Sequence, residues 1–145
     1  MKLAIASDHA GITLKKYLIE NLKAPVEWID CGPNDSASVD YPDFAAKACA
    51  LVTSGKVERA VLVCGSGLGM SIAANKIAGI RAAHVESSYT ASLAAEHNNA
   101  NVLCVGERIT AAPYALVMVQ SWLNTKFGGD RHQRRIDKIT ALEKN

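Results

Sequence analysis

A cysteine that ends an apolar run and is followed by alternating glycines marks the most chemically suggestive part of this chain. Residues 59–76 read RAVLVCGSGLGMSIAANK, with Cys64 at the end of the run and glycines at Gly65, Gly67 and Gly69. Three phosphate-binding templates fail here. The nucleotide loop G-x-x-x-x-G-K-[ST], counted from Gly65, needs a glycine at residue 70, which is Met70. The dinucleotide fingerprint G-x-G-x-x-G fails at the same residue, and a cysteine-phosphatase loop C-x5-R would need arginine there. What remains is a set of unobstructed backbone N–H groups at a helix start, an anion nest for a phosphate or a developing oxyanion. Cys64 is then either a small buried hydrophobe or a reactive thiol. The positive end of a helix dipole favours thiolate. A thiolate beside an oxyanion site can take a proton alpha to a carbonyl while N–H groups hold the enediolate.

Other polar groups fall just after apolar runs: Asp8-His9, Cys31-Gly32, Glu86-Ser87-Ser88 and Gly106-Glu107-Arg108. Asp8 is placed to cap a helix starting near Ala10, a role compatible with ligand binding. His97-Asn98-Asn99 close a helical stretch, where the histidine is either favoured by the helix dipole or an acid–base group. Arg131 and Arg135 are four apart and share one helix face; they can converge on one phosphate or belong to a solvated basic face. Tyr41-Pro42 fits a plain helix start, His84 reads as packed in its strand, and Trp28 and Trp122 read as core or interface residues. As a set, nest, thiol, histidine and arginine fork describe a phosphorylated small molecule undergoing acid–base chemistry.

Such residues need a scaffold, and the pattern of the chain supplies one. Five short runs, 2–7, 26–30, 60–64, 80–85 and 101–106, are apolar on both faces, as strands of a buried parallel sheet are. Helical spacing covers 10–23, 42–54, 68–78, 88–98, 111–125 and about 130–143. This alternation predicts a doubly wound α/β sandwich. Ligands in such sheets sit beyond the carboxyl ends of the strands, where the order reverses. The 145 residues suit one domain with one sizeable core, read here as 1–145. A formal charge of +2 is too small to point to nucleic acid. Cys31, Cys49, Cys64 and Cys104 are widely spaced and match no metal pattern, which suits reduced thiols of a cytosolic protein. The first residues, MKLAIASDHAG, are too short an apolar stretch for a signal peptide, and no run approaches the ~20 apolar residues of a membrane span. The expectation is a cytoplasmic protein without a membrane or nucleic-acid partner.

The pieces SDHAG, DYPD, CGSGLGMSIAANKIAGIRAA, EHNNANVL and GGDRHQRRIDKI run in order over nearly the whole chain. They resemble the type B ribose-5-phosphate isomerases and the related galactose-6-phosphate and allose-6-phosphate isomerases. The resemblance implies an aldose–ketose isomerase of the pentose phosphate pathway, acting without a metal or other cofactor. It implies a three-layer α/β/α sandwich, Rossmann-like, with a five-stranded parallel sheet and a C-terminal helix. It also implies a homodimer or homotetramer with sites at the subunit interface. By position, Cys64 resembles the base that moves the proton between C2 and C1, and His97 the group that opens the furanose ring. The loop Gly65, Ser66, Gly67, Leu68, Gly69 would stabilise the enediolate. Asp8 would bind hydroxyls, His9, Arg131 and Arg135 the phosphate with Arg108 nearby, and Tyr41, Asn98 and His132 would complete the pocket. Some members carry a glutamate base where this chain has Met70, which cannot accept a proton, so the burden falls on Cys64.

Rivals remain at this stage. A six-carbon sugar phosphate differs by a step worth only a few kcal/mol of discrimination. A non-catalytic sugar-phosphate binding module would keep Arg131 and Arg135 without needing Cys64 or His97. A flavodoxin-like cofactor protein shares the fold class and would show flavin absorbance.

Overall fold

All five apolar runs become strands. In the computed structural model, which describes residues 1–22 and 25–143, they are β1 Lys2–Ser7, β2 Glu27–Asp30, β3 Arg59–Cys64, β4 Ala82–His84 and β5 Val102–Gly106. Every pairing is parallel, in the order β2-β1-β3-β5-β4. The helices are α1 Ile12–Asn21, α2 Tyr41–Thr53, α3 Leu68–Ala74, α4 Ser88–Glu96, α5 Ala112–Asn124 and α6 Arg131–Ala141.

Side chains alternate along each strand, so each strand feeds two cores. Ile5, Val61, Val63, Leu103 and Val105 point to one face, where α1, α4 and α5 bring Leu14, Leu18, Ala91, Met118 and Trp122. Ala4, Ala6, Leu62, Cys64 and Cys104 point to the other, against Ala45, Ala48 and Cys49 of α2 and Met70 and Ala74 of α3. Small side chains on this second face let α2 and α3 lie close to the sheet. Trp122 is wholly buried and its indole N–H donates to Ala100 O at 3.0 Å, so the ring loses no polar partner by burial. Trp28 is half-buried, with its N–H donating to Leu22 O at 2.8 Å.

Boundaries differ from the sequence expectation where side chains compete with the backbone ladder. The helix expected over 68–78 stops at Ala74, because the Asn75 side chain turns back to β4: its Oδ1 accepts from Ala82 N at 2.8 Å and its Nδ2 donates to Ala82 O at 2.9 Å. The strand expected over 80–85 shrinks to Ala82–His84, since Arg81 N donates to the Asn101 side chain instead. The helix expected over 10–23 opens as a 3₁₀ turn, His9–Gly11, before α1; residue 23 lies outside the described residues.

One buried cation pins the loop after β2. Lys15 on α1 is fully covered, and its Nζ lies 2.7 Å from Asp30 Oδ1 and 2.5 Å from Pro33 O. Asp30 Oδ1 also accepts from Gly32 N at 2.9 Å. A buried ammonium needs such partners to offset its lost hydration. The loop fixed in this way runs on to Asp40 and delivers Tyr41 to the site.

Because β2 and β3 flank β1, the connections after β1 and after β3 leave in opposite directions. The gap between their carboxyl ends is the switch point of the sheet, the place where such folds hold ligands.

Candidate active site

At that switch point lies a cavity of about 490 Å³. Its floor is the loop after β3, through Cys64, Gly65, Ser66 and Gly69. Asp8 and His9, after β1, form one wall, and Tyr41 and Arg108 form the others. Asp8 is buried and its Oδ1 accepts from Ala10 N at 3.0 Å, the capping role expected of it. His9 Nδ1 accepts the Val39 N–H at 3.2 Å, so the ring hydrogen sits on Nε2. Tyr41 opens α2 and its ring lies across Gly69; a Cβ there would stand 2.6 Å from Tyr41 Cζ. Arg108 covers Gly65, where a Cβ would stand 3.2 Å from its Nη1. It is held there by two backbone bonds of 2.9 Å, from Glu107 N to Cys64 O and from Arg108 N to Gly65 O. The Glu107 carboxylate accepts from Leu14 N at 2.6 Å, tying this corner to the start of α1.

Cys64 is only 5% exposed, yet it lines the cavity, and its sulfur accepts the Gly67 N–H at 3.1 Å. The Ser66 hydroxyl accepts the Leu68 N–H at 3.2 Å. Two amides of the nest are thus engaged by the loop's own side chains, a point the glycine spacing could not show. Leu68 is half exposed and Gly67 turns the loop with a φ of +82°, in the region where glycine is favoured.

The remaining expected residues gather elsewhere in the same chain. His97 follows α4 and its ring stacks on His132, with centroids 4.3 Å apart and planes at 16°. Burial pushes the His132 imidazole below its usual range, helped by His97, Arg131 and Arg135 and opposed by Glu96. Gly128 gives the ring room, since a Cβ there would stand 3.3 Å from His132 Cδ2. Arg131 and Arg135 are exposed on the first turns of α6. Asn98 lines a second hollow of about 630 Å³ beside Ile139 and Leu142, and its carbonyl accepts from Arg81 Nε at 3.1 Å. One chain therefore presents a thiol cavity and a separate cluster of imidazoles and guanidinium groups.

Two groups that touch the loop carry no site role in the sequence reading. Glu107 stands there only as one of the polar residues that follow a strand. His84 was read as packing, yet its Nε2 lies 2.8 Å from Ser66 O. Its place at the carboxyl end of a strand run was the available signal. All four cysteines are free. Burial pushes Cys49 up to about 11, Cys104 well above the ordinary range, and Cys31 upward with help from Asp30. Among the described residues, no three His, Cys, Asp or Glu side chains are grouped to hold a metal ion, and no helix is long and apolar enough to cross a membrane.

A thiol-floored cavity at the switch point of a doubly wound parallel sheet is the layout of a small-molecule enzyme of the α/β class. Within that class the chain belongs to the ribose/galactose isomerase family, whose model matches residues 3–139. It is 42% identical to ribose-5-phosphate isomerase B of Escherichia coli, over 98% of this chain and 96% of that protein. Among solved structures, ribose-5-phosphate isomerase B of Clostridium thermocellum superposes with a TM-score of 0.98 at 48% identity, covering 99% of this chain and 98% of that one. The Mycoplasma genitalium enzyme, solved with bound ribulose 5-phosphate, superposes with a TM-score of 0.94 at 45% identity, covering 99% and 97%.

Proposed function

We propose that this chain interconverts D-ribose 5-phosphate and D-ribulose 5-phosphate, with Cys64 as the base. The observation that carries the reading is Cys64 at the cavity floor, with the Gly67 N–H directed at its sulfur and no carboxylate in the loop to take its place. The family membership and the sugar phosphate bound by the Mycoplasma relative support the substrate class. In the linear aldose, the thiolate removes the proton on C2. The electrons move into an enediolate, whose oxygen charge the loop and the Ser66 hydroxyl offset. The thiol then returns the proton to C1, while a proton passes between the two oxygens. Asp8 holds substrate hydroxyls, with Tyr41 closing the cavity beside Gly69.

Before that step the furanose must open. The O1 hydroxyl loses its proton, the C1–O4 bond breaks, and O4 gains a proton. His97 is assigned to these transfers. His9, Arg131 and Arg135, with Arg108 nearby, are assigned to the phosphate, and Asn98 and His132 to the rest of the pocket. Since the His97 cluster lies apart from the thiol cavity within one chain, this assignment requires two copies to complete each site. The half-exposed Leu68 and exposed Ile72 on α3, beside the loop, suit such an interface. Thiol, histidines and arginines are all carried by this one sequence, which favours a homomer of one isomerase domain, a dimer or a tetramer. The free cysteines suit a cytoplasmic setting.

Initial rates on ribose 5-phosphate, allose 6-phosphate and galactose 6-phosphate test the substrate. We expect kcat/KM for the pentose to exceed the others at least about tenfold, the scale of one missing or added carbon in a fitted pocket. A hexose preference would move the assignment within the family. Binding of all three without turnover would leave a sugar-phosphate binding module. For the anion, Arg131→Ala and Arg135→Ala each remove a charge-assisted hydrogen bond of about 1.5–3 kcal/mol. KM and the inhibition constant of inorganic phosphate are expected to rise together, by about tenfold or more. Unchanged phosphate inhibition in both variants would place the anion elsewhere.

A further inference from the structure

We propose that His84 is a positioning residue for the reaction: it grips the Ser66–Gly67 peptide so that the Gly67 N–H points at the Cys64 sulfur. The Ser66 carbonyl and the Gly67 N–H belong to one peptide unit. In a trans peptide they point in opposite directions. The carbonyl oxygen lies 2.8 Å from His84 Nε2, and the N–H lies 3.1 Å from Cys64 Sγ. A carbonyl only accepts, so His84 Nε2 is the donor and carries the ring hydrogen. Turning this peptide over would set an N–H against that N–H and a carbonyl against the sulfur. The imidazole therefore selects the orientation in which the amide serves the thiol.

The contact is built rather than incidental. His84 stands at the carboxyl end of the edge strand β4, with its side chain largely covered. Gly67 carries no Cβ, and one would stand 2.7 Å from His84 Cδ2 and 3.0 Å from the Val105 carbonyl carbon. Gly106 likewise leaves room for the peptide, since a Cβ there would stand 2.5 Å from the Ser66 carbonyl carbon. Two bare Cα atoms thus admit the peptide between the strand ends, and the imidazole fixes its rotation. Glu86 Oε1, at 3.9 Å from His84 Nε2 and mostly exposed, is too far to compete for the hydrogen. Asp8, His9, Tyr41 and Arg108, which share the cavity with Cys64, make no hydrogen bond to His84.

The inference rests on Cys64 being the base, and the test separates the two. In His84→Leu the donor is lost at similar bulk. His84→Asn keeps polarity but falls short of the carbonyl, and it serves if the leucine variant does not fold. His84→Gln can still donate. Two quantities are read: the rate of Cys64 alkylation by iodoacetamide at pH 7, with the label located by peptide mass mapping, and kcat and KM for ribose 5-phosphate. An N–H donated to sulfur favours the nucleophilic thiolate form in general, and the higher intrinsic nucleophilicity of a sulfur without it offsets only part of the rate. His84→Leu and His84→Asn are expected to slow alkylation about three- to tenfold and kcat about tenfold, with KM within about twofold; His84→Gln recovers most of both. Alkylation at the wild-type rate in the leucine or asparagine variant would overturn the proposal. So would failure of the glutamine variant to recover while its melting temperature matches wild type. The alkylation reading holds whether or not Cys64 is the base, whereas the base assignment stands or falls on the Cys64→Ala variant.

Discussion

Cys64→Ala is expected to lose roughly 10²–10⁴-fold in kcat while binding the sugar phosphate near normally, the range typical of removing a positioned acid–base group. The size follows from the composition of the site. Residue 70, where a glutamate could have shared the burden, is Met70, and its side chain is wholly buried in the core under α3. The carboxylate that does line the cavity, Asp8, already has one oxygen engaged by the Ala10 amide. The substitution itself is mild. Cys64 is one small residue among the alanines of its core face, so the loss of one sulfur leaves a small void and a folded chain. Steady-state turnover and phosphate inhibition, measured on the same preparation, separate chemistry from binding. More than half of wild-type turnover would remove Cys64 from the role of base.

His97→Asn is expected to cost heavily with ribose 5-phosphate and much less with ribulose 5-phosphate. The aldose arrives as a furanose and must open, whereas the ketose is already linear. His97 belongs to a different element from the Cys64 loop: it follows α4, stacks on His132, and stands outside the lining of the thiol cavity. That placement suits the role proposed for it, a second proton donor and acceptor separate from Cys64. Asparagine keeps a polar side chain of similar reach but moves no proton at neutral pH, so the loss is expected to approach the roughly 10²–10⁴-fold of a general acid–base term. Deuterium entering C1 of ribulose 5-phosphate from solvent reports the Cys64 step alone. Consumption of ribose 5-phosphate reports ring opening as well. Equal losses on the two measurements would mean that His97 serves the proton transfer itself or only the fold, and the division of labour would fail.

His84 illustrates the limit of reading residues by their local run. Between Ala83 and Val85 it looks like one more member of a strand, and its use is set by a peptide 18 residues away. Glu107 is similar, since its partner is an amide on α1, 93 positions earlier. The two arms of the expected site teach the same lesson at a larger scale. Sequence motifs placed Cys64, His97 and Arg131 in one functional set, but chain order carries no information on whether one copy can bring them together.

What the amino-acid sequence determined by itself was everything governed by short-range periodicity and local chemistry. Apolar runs on both faces specified buried parallel strands, their alternation with helical spacing specified a doubly wound sheet, and Asp8 before Ala10 specified a cap. These depend on neighbours within a few positions, where the chain's geometry is nearly fixed by its covalent bonds. The tertiary structure alone decided the strand order that opens the switch point between β1 and β3, the turn of the Ser66–Gly67 peptide toward Cys64, and the separation of the thiol cavity from the His97–His132 stack. Each of those is a long-range contact selected by packing and by competition among hydrogen-bond partners, and such a choice exists only once the whole chain has closed around its two cores.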